Sequence, residues 1–291
     1  MRLVEFTGVP GSGKSTIISL VKKELKRQDV AIISLENLIL RKVRTEPIIG
    51  NMVRVLPKKL GMKLAYFWYL LRKFKHLYHL HFCMSWPDLI AYYQGHNKKR
   101  NIPEKDKIEL LDCFLETGGQ YQMAVELCQE HEVFLLCEGF FHKIINLNLS
   151  VHEAVPDAAT IHPYLQLIPQ IDLLCEIKTS TAIAHKRVIH RGKPERFRLV
   201  EDNDFMAIIQ KSQKIIENGL SVFGHEIIQI DNSTDFTSSK KFIQAIADRL
   251  REIDFKHLMM ATSTEDRQAQ CGGRPIHHQR QNNAHSSRSL S

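Results

Sequence analysis

A glycine-rich turn between a buried strand and an amphipathic helix admits few folds, and this chain opens with one. Leu3-Val4-Glu5-Phe6-Thr7 reads as a short buried strand, and Gly8-Val9-Pro10-Gly11-Ser12-Gly13-Lys14-Ser15 follows it directly. From Thr16 to Leu25 the residues Ile17, Ile18, Val21 and Leu25 share one helical face. The turn matches the G-x-x-x-x-G-K-[ST] phosphate loop in the strand-to-helix setting that gives the pattern its meaning. Glycines let the backbone wrap with its N–H groups pointing inward, so a polyphosphate can rest on them and on the helix N-terminus. Gly8 to Thr16 are therefore the expected nucleotide-binding residues. Lys14 is expected to reach the β- and γ-phosphates of ATP, and the Ser15 hydroxyl to hold Mg²⁺.

The rest of the chain reads as an α/β protein. Expected strands are Asp29–Leu35, Glu132–Glu138, Asp172–Lys178 and Glu226–Asp231. Helical patterns lie between them, at Thr181–Arg191, around Phe205 to Ile216, and from Phe242 onward. Alternating strands and helices imply βαβ units, giving a doubly wound, five-stranded, mostly parallel sheet. Residues 38 to 130 show helical spacing with few strand signals and form an expected helical insertion. Within it, Leu64, Phe67, Trp68, Leu71 and Phe74 read as the buried stripe of one helix, and Gly118-Gly119 as a break in another. The nearby cations Lys58, Lys59, Lys63, Arg72, Lys73 and Lys75 then fall on other faces, so a packed amphipathic helix is preferred to a membrane or nucleic-acid surface. The folded domain is expected to span 1–257. From 258 to 291, Ser, Gln, Asn, His, Arg and Gly dominate, and a disordered tail is expected.

Composition sets outer bounds. A net charge of +8 suits anionic small ligands without requiring nucleic acid. The apolar run from Ala65 to Leu71 is far short of the ~18 residues that suggest a membrane span. The six cysteines include no C-x-x-C pair, so free thiols in a reducing, cytoplasmic setting are expected. No signal peptide is evident before the first strand. Oligomeric state is not legible.

Two acids and two arginines complete the candidate chemistry. Glu138 closes an apolar strand and is suited to organise Mg²⁺ and its waters or to accept a proton. Glu36, at the expected end of the second strand, is the other candidate base. Arg187 and Arg191, one helical turn apart, precede Gly192-Lys193-Pro194 and Arg196 and Arg198, a basic segment (about 187–199) expected to act as a lid. Asp231 and Asn232, after the last strand, are placed to contact the base.

In this order, Gly8–Ser15, Glu138-Gly139-Phe140, Arg187/Arg191 and Ile230-Asp231-Asn232 resemble P-loop nucleotide and nucleoside kinases, nearest to thymidylate-kinase-like proteins. The resemblance covers about residues 1 to 255 and implies transfer of the γ-phosphate of Mg-ATP to a small acceptor such as a nucleotide or nucleoside. It also implies that the Glu138 strand lies beside the phosphate-loop strand and that Glu36 acts on the acceptor. The family has an arginine shortly after the Glu138 position. Here only Lys143 stands near, which leaves the acceptor open. Glu116–Gln122, ahead of an apolar strand ending in an acid, also resembles the signature region of transporter-type ATPases. A transporter-type or regulatory ATPase is the alternative reading.

Overall fold

The computed structural model describes residues 1–71, 74–149, 154–194, 197–198, 200–233 and 242–252. The chain divides into two units, Met1–Asp248 and Arg249–Ser291. Of the second only residues 249–252 are described, and they are helical. The expected tail at 258–291 therefore lies outside the described residues.

The first unit is built on a five-stranded parallel sheet in the order β2-β3-β1-β4-β5. Its strands are β1 (Arg2–Thr7), β2 (Ile32–Ile33), β3 (Val133–Cys137), β4 (Leu173–Lys178) and β5 (Ile227–Asp231). Every residue of β1 is buried. Side chains alternate across a strand, so both faces of the sheet are covered there, as in a doubly wound α/β fold. β3 and β4 flank β1, which brings the carboxyl end of β3 beside the phosphate loop.

β2 is shorter than the expected Asp29–Leu35. Only Ile32 and Ile33 pair with β3, because Ser34 already caps the next helix, accepting from the Asn37 N–H. Glu36 therefore lies in the first turn of that helix and does not end a strand.

The insertion is a run of six helices: α2 (Leu35–Arg44), α3 (Pro47–Val55), α4 (Lys58–Leu71), α5 (Phe74–Ser85), α6 (Pro87–Lys99) and α7 (Glu104–Leu127). Before it, α1 (Lys14–Arg27) follows the phosphate loop. After β3 come α8 (Lys143–Asn148) and α9 (Ala158–Leu167), then α10 (Thr181–Arg191) and α11 (Asp202–Leu220) on either side of the basic segment. Among the described residues no helix is long and apolar enough to cross a membrane. The cysteines at 83, 113, 128, 137 and 175 are free thiols.

Two expectations inside the insertion are corrected. α7 runs unbroken through Gly118-Gly119. These glycines are where α5 presses closest: a Cβ on Gly118 would stand 2.2 Å from the Phe82 ring, and one on Gly119 2.5 Å from His79. In α4 the fully inward residues are Gly61, Ala65 and Tyr69; of the expected stripe Leu64 and Trp68 are half-buried against the core and Phe74, on α5, is buried, while Phe67 is 61% exposed. Gly61 and Ala65 face inward where α2 and α3 approach this helix, and Phe67 and Leu70 stand outside.

An aromatic cluster ties the insertion to the sheet. Phe82 stacks on Phe140 with ring centroids 5.6 Å apart, and Phe114 and Tyr121 meet the same ring edge-on at 6.3 and 5.4 Å. Phe82 is fully buried and also touches Trp86 and Phe114, so its ring cannot swing away from Gly118. Gly118→Ala is therefore expected to cost about 1–3 kcal/mol from overpacking, more than the ~1 kcal/mol that alanine gains in helix propensity. Gly95 in α6 has no atom near its missing Cβ, and Gly95→Ala should raise stability by up to ~1 kcal/mol. Urea unfolding of the two variants checks both signs.

Candidate functional site

The loops at the carboxyl ends of β1, β3, β4 and β5 converge on one edge of the sheet. The phosphate loop is wedged among them. Gly11 and Gly13 have φ of +82° and +91°, a left-handed region that other residues enter only with strain. A Cβ on Gly11 would lie 2.2 Å from the Ala184 carbonyl oxygen of α10, and one on Gly13 2.3 Å from the Asn232 side chain. The loop is a close fit on both flanks.

Asn232, just beyond β5, is a brace for the loop. Its side-chain amide donates to the Ser12 carbonyl at 2.7 Å, and its backbone N–H donates to the Lys178 carbonyl at 2.8 Å. Arg187 of α10 joins this frame, donating to the Asn232 carbonyl at 3.2 Å and reaching the Thr179 hydroxyl at 3.5 Å. Asn232 thus bonds to the phosphate loop where the sequence suggested base contact. Asp231 is exposed, and its carboxylate accepts from the Ser233 N–H at 2.8 Å in a local turn that holds its pKa below the ordinary range.

Lys14 is nearly buried. Its ammonium donates to the Gly8 and Val9 carbonyls at 2.7 and 3.2 Å and pairs with the Glu138 carboxylate at 3.2 Å. Glu138 is held at φ +62°, left-handed for a non-glycine residue, at the step from β3 into the following turn. His142 approaches the same carboxylate at 3.7 Å. Together His142, Lys14 and Lys143 pull the Glu138 pKa down to about 2, with His142 the leading cause. A carboxylate so strongly stabilised as an anion is a poor proton acceptor and a good partner for cations.

The turn carrying Glu138 rests on Glu5, a residue that the sequence reading took only as part of a strand. Glu5 is fully buried and accepts from the N–H groups of Phe141 and His142 at 3.0 and 2.8 Å. Gly139 lies directly above, where a Cβ would come within 2.6 Å of the Glu5 carboxylate. Burial raises the Glu5 pKa to about 7 against the pull of those N–H groups. His142 itself shares a hydrogen bond with the Thr7 hydroxyl at 3.1 Å. An acid within an otherwise buried strand was the available signal for Glu5. Nothing local marked His142.

The remaining candidates are more dispersed. Ser15 and Thr16 are exposed in the first turn of α1. Val9 is buried, Pro10 is half-buried, and the Ser12 side chain is enclosed. Glu36 is exposed, its pKa lowered first by the Ser34 hydroxyl and also by Lys22 of α1. Arg191 is exposed in the last turn of α10, and no described contact ties it to the loop. Of the basic segment, residues 195, 196 and 199 lie outside the described residues. The Gly118-Gly119 stretch that suggested a transporter signature is a helix-packing contact.

Ser15, in the first turn of α1, and the ionised Glu138 carboxylate beside Lys14 are oxygen donors of the kind a hard cation such as Mg²⁺ prefers. Among the described residues no three His, Cys, Asp or Glu side chains converge. Magnesium bound through one carboxylate and substrate phosphates needs no such cage.

The strand order, the parallel pairing and the wedged glycine loop define a P-loop α/β fold. No protein-family model and no curated protein matches the chain. Among solved structures, the chain is similar to deoxyadenosine kinase from M. mycoides with bound dATP, at 16% identity and a TM-score of 0.45, covering 86% of this chain and 100% of that one. The same enzyme with dCMP and dCDP bound gives 17% identity and a TM-score of 0.40 over the same shares. Shikimate kinase from Bacteroides thetaiotaomicron gives 14% and 0.39, covering 86% and 98%. These likenesses are distant, and the fold class stands on the strand order and the loop.

Because folding raises the Glu5 pKa from 4.5 to about 7, the folded chain binds this proton more tightly than the unfolded one. Its contribution to stability is full below pH 4.5 and is lost as pH rises through about 7. Glu138 has the opposite sign: its contribution is present above pH 4.5 and lost as pH falls toward 2. Glu5→Gln should therefore shrink the stability difference between pH 5 and pH 8 by ~1–3 kcal/mol, read from urea unfolding at each pH.

Proposed function

We propose that this protein is a cytoplasmic ATP-dependent phosphotransferase that moves the γ-phosphate of Mg-ATP to a small acceptor, a nucleotide or nucleoside being the first class to test. What carries the reading is the pairing of Lys14 with Glu138 at 3.2 Å beside a glycine loop that follows the buried strand β1 and opens α1.

The chemistry assigned to each residue follows from its setting. Phosphoryl transfer asks the protein mainly for positioning and charge neutralisation. The loop from Gly8 to Ser15 cradles the β- and γ-phosphates. Lys14 exchanges the Gly8 and Val9 carbonyls for phosphate oxygens, a favourable trade of neutral acceptors for anionic ones. Asn232 and Arg187 keep the loop in register, and Arg187 adds positive charge near Gly13. The Ser15 hydroxyl and the Glu138 carboxylate would hold Mg²⁺, whose role when bound is to neutralise charge on the phosphate oxygens.

The low pKa of Glu138 favours this metal-organising role over that of a base. Glu36 remains the candidate that acts on the acceptor, from the first turn of α2. Arg191 and the basic segment beyond it would close over the transferring group and exclude water. No described contact favours the transporter-type reading.

The test is a screen of purified protein with γ-labelled ATP against nucleosides, nucleoside monophosphates and sugars. Labelled acceptor supports the proposal, and label released only as free phosphate overturns it. On the acceptor so found, Lys14→Ala should lower kcat by ~10³-fold or more, and Arg187→Ala by ~10²-fold. Arg191→Ala should cost less than Arg187→Ala. Glu138→Gln should raise the Mg²⁺ concentration needed for half-maximal rate, whereas Glu36→Gln should slow transfer and leave ATP binding intact.

A further inference from the structure

Between Glu46 and Asp88 the chain has no acidic residue, and this same stretch carries ten of the thirteen large hydrophobic side chains exposed among the described residues. The coincidence concentrates apolar surface and positive charge on one part of the insertion. On α3, Ile48, Met52 and Val55 recur at helical spacing and are 77%, 48% and 83% exposed. On α4 the outward stripe is Leu60, Lys63, Phe67 and Leu70, with Gly61, Ala65 and Tyr69 turned inward. α3 and α4 pack on each other and on α2, so the two stripes belong to one layer.

The charges on this layer are exposed as well. Lys58, Lys59 and Lys63 stand in solvent, and no ion pair among the described residues involves them. On α5, by contrast, Lys75 is paired with Glu116 of α7 at 3.5 Å.

A solvated helix face accounts for lysines but not for Ile48 and Val55 standing almost wholly in water. Two copies meeting through this face about a twofold axis would bring lysine against lysine with no carboxylate between them. An anionic bilayer satisfies both features. Aliphatic and aromatic side chains enter the boundary between headgroups and acyl chains, and long lysine stems let the ammonium groups reach lipid phosphates.

We propose that the outward face of α3 and α4 docks this protein reversibly on an anionic lipid surface. Val55, Leu60, Phe67 and Leu70 insert, and Lys58, Lys59 and Lys63 pair with the headgroups. The docking is peripheral, and it is independent of the phosphotransfer reading.

The test is co-sedimentation of the full chain with vesicles of phosphatidylcholine alone or with about one-third phosphatidylglycerol. Binding to the anionic vesicles should be at least ~10-fold tighter and should weaken with salt. Lys58→Gln/Lys59→Gln/Lys63→Gln should weaken it by ~100-fold, since each basic residue near an anionic surface adds about a fivefold attraction. Phe67→Ser/Leu70→Ser should weaken binding and keep its salt dependence, and these exposed positions should leave the melting temperature of both variants unchanged. Absence of binding, equal binding to the two vesicle types, or wild-type binding by both variants would overturn the proposal. So would sedimentation velocity showing a dimer that Phe67→Ser/Leu70→Ser dissolves, which would assign the face to a second copy.

Discussion

A buried carboxylate under a backbone turn sets how the two sides of the candidate site face each other. Glu5 projects from β1, the strand that feeds the phosphate loop, and accepts the N–H groups of Phe141 and His142 from the turn after β3. One side chain thus couples the loop's own strand to the segment that carries Glu138. The arrangement tolerates no side chain at position 139, because the Glu5 carboxylate occupies that space. It also explains how Glu138 is kept in a left-handed conformation that costs ~1–2 kcal/mol: the residues after it are held by hydrogen bonds whose loss would leave a buried acid without partners.

The two acids show how environment divides otherwise identical groups. Glu5 has two N–H donors and no exposure, and desolvation wins, moving its pKa up to about 7. Glu138 faces His142, Lys14 and Lys143, and attraction wins, moving it down to about 2. The first is placed to hold structure and the second to hold charge. The same turn is anchored from the insertion by Phe140, whose ring lies against Phe82, Phe114 and Tyr121 and whose carbonyl accepts from the Tyr164 hydroxyl at 2.9 Å. Burying a phenylalanine contributes about 1.5–3 kcal/mol, enough to make the helical insertion part of what orders the site.

That anchoring leaves the opposite side of the insertion free to do something else. α5 and α7 pack through Gly118 and Gly119, while α3 and α4 leave a stripe of large apolar residues, Ile48, Val55, Phe67 and Leu70 among them, outward. The layer is anchored by Val53, Ala65 and Tyr69, and still leaves Ile48, Val55, Phe67 and Leu70 outside. Its exposed residues are where interaction with a surface becomes the economical explanation of the pattern.

Local spacing was enough to find the phosphate loop, the helix after it, and three strands whose apolar runs are continuous because both their faces are buried. The loop is legible because its geometry depends on residues adjacent in sequence: glycines at positive φ, then a lysine and a hydroxyl opening a helix. The same adjacency misled where tertiary neighbours decide. Asp29 to Leu35 has the composition of a strand, yet Ser34 caps a helix and only Ile32 and Ile33 find a partner. Phe67 has the spacing of a core residue, yet α2 and α3 approach α4 on its small face. Gly118-Gly119 reads as a break, and becomes a contact only once Phe82 lies across it. The roles of Glu5 and Asn232, and the bond of His142 to Thr7, belong wholly to the tertiary structure, since each reaches a segment more than a hundred residues away along the chain. Hydrogen bonds across such separations leave no period and no motif. Only the parallel order of the strands, which sets β1 between β3 and β4, brings these partners within reach.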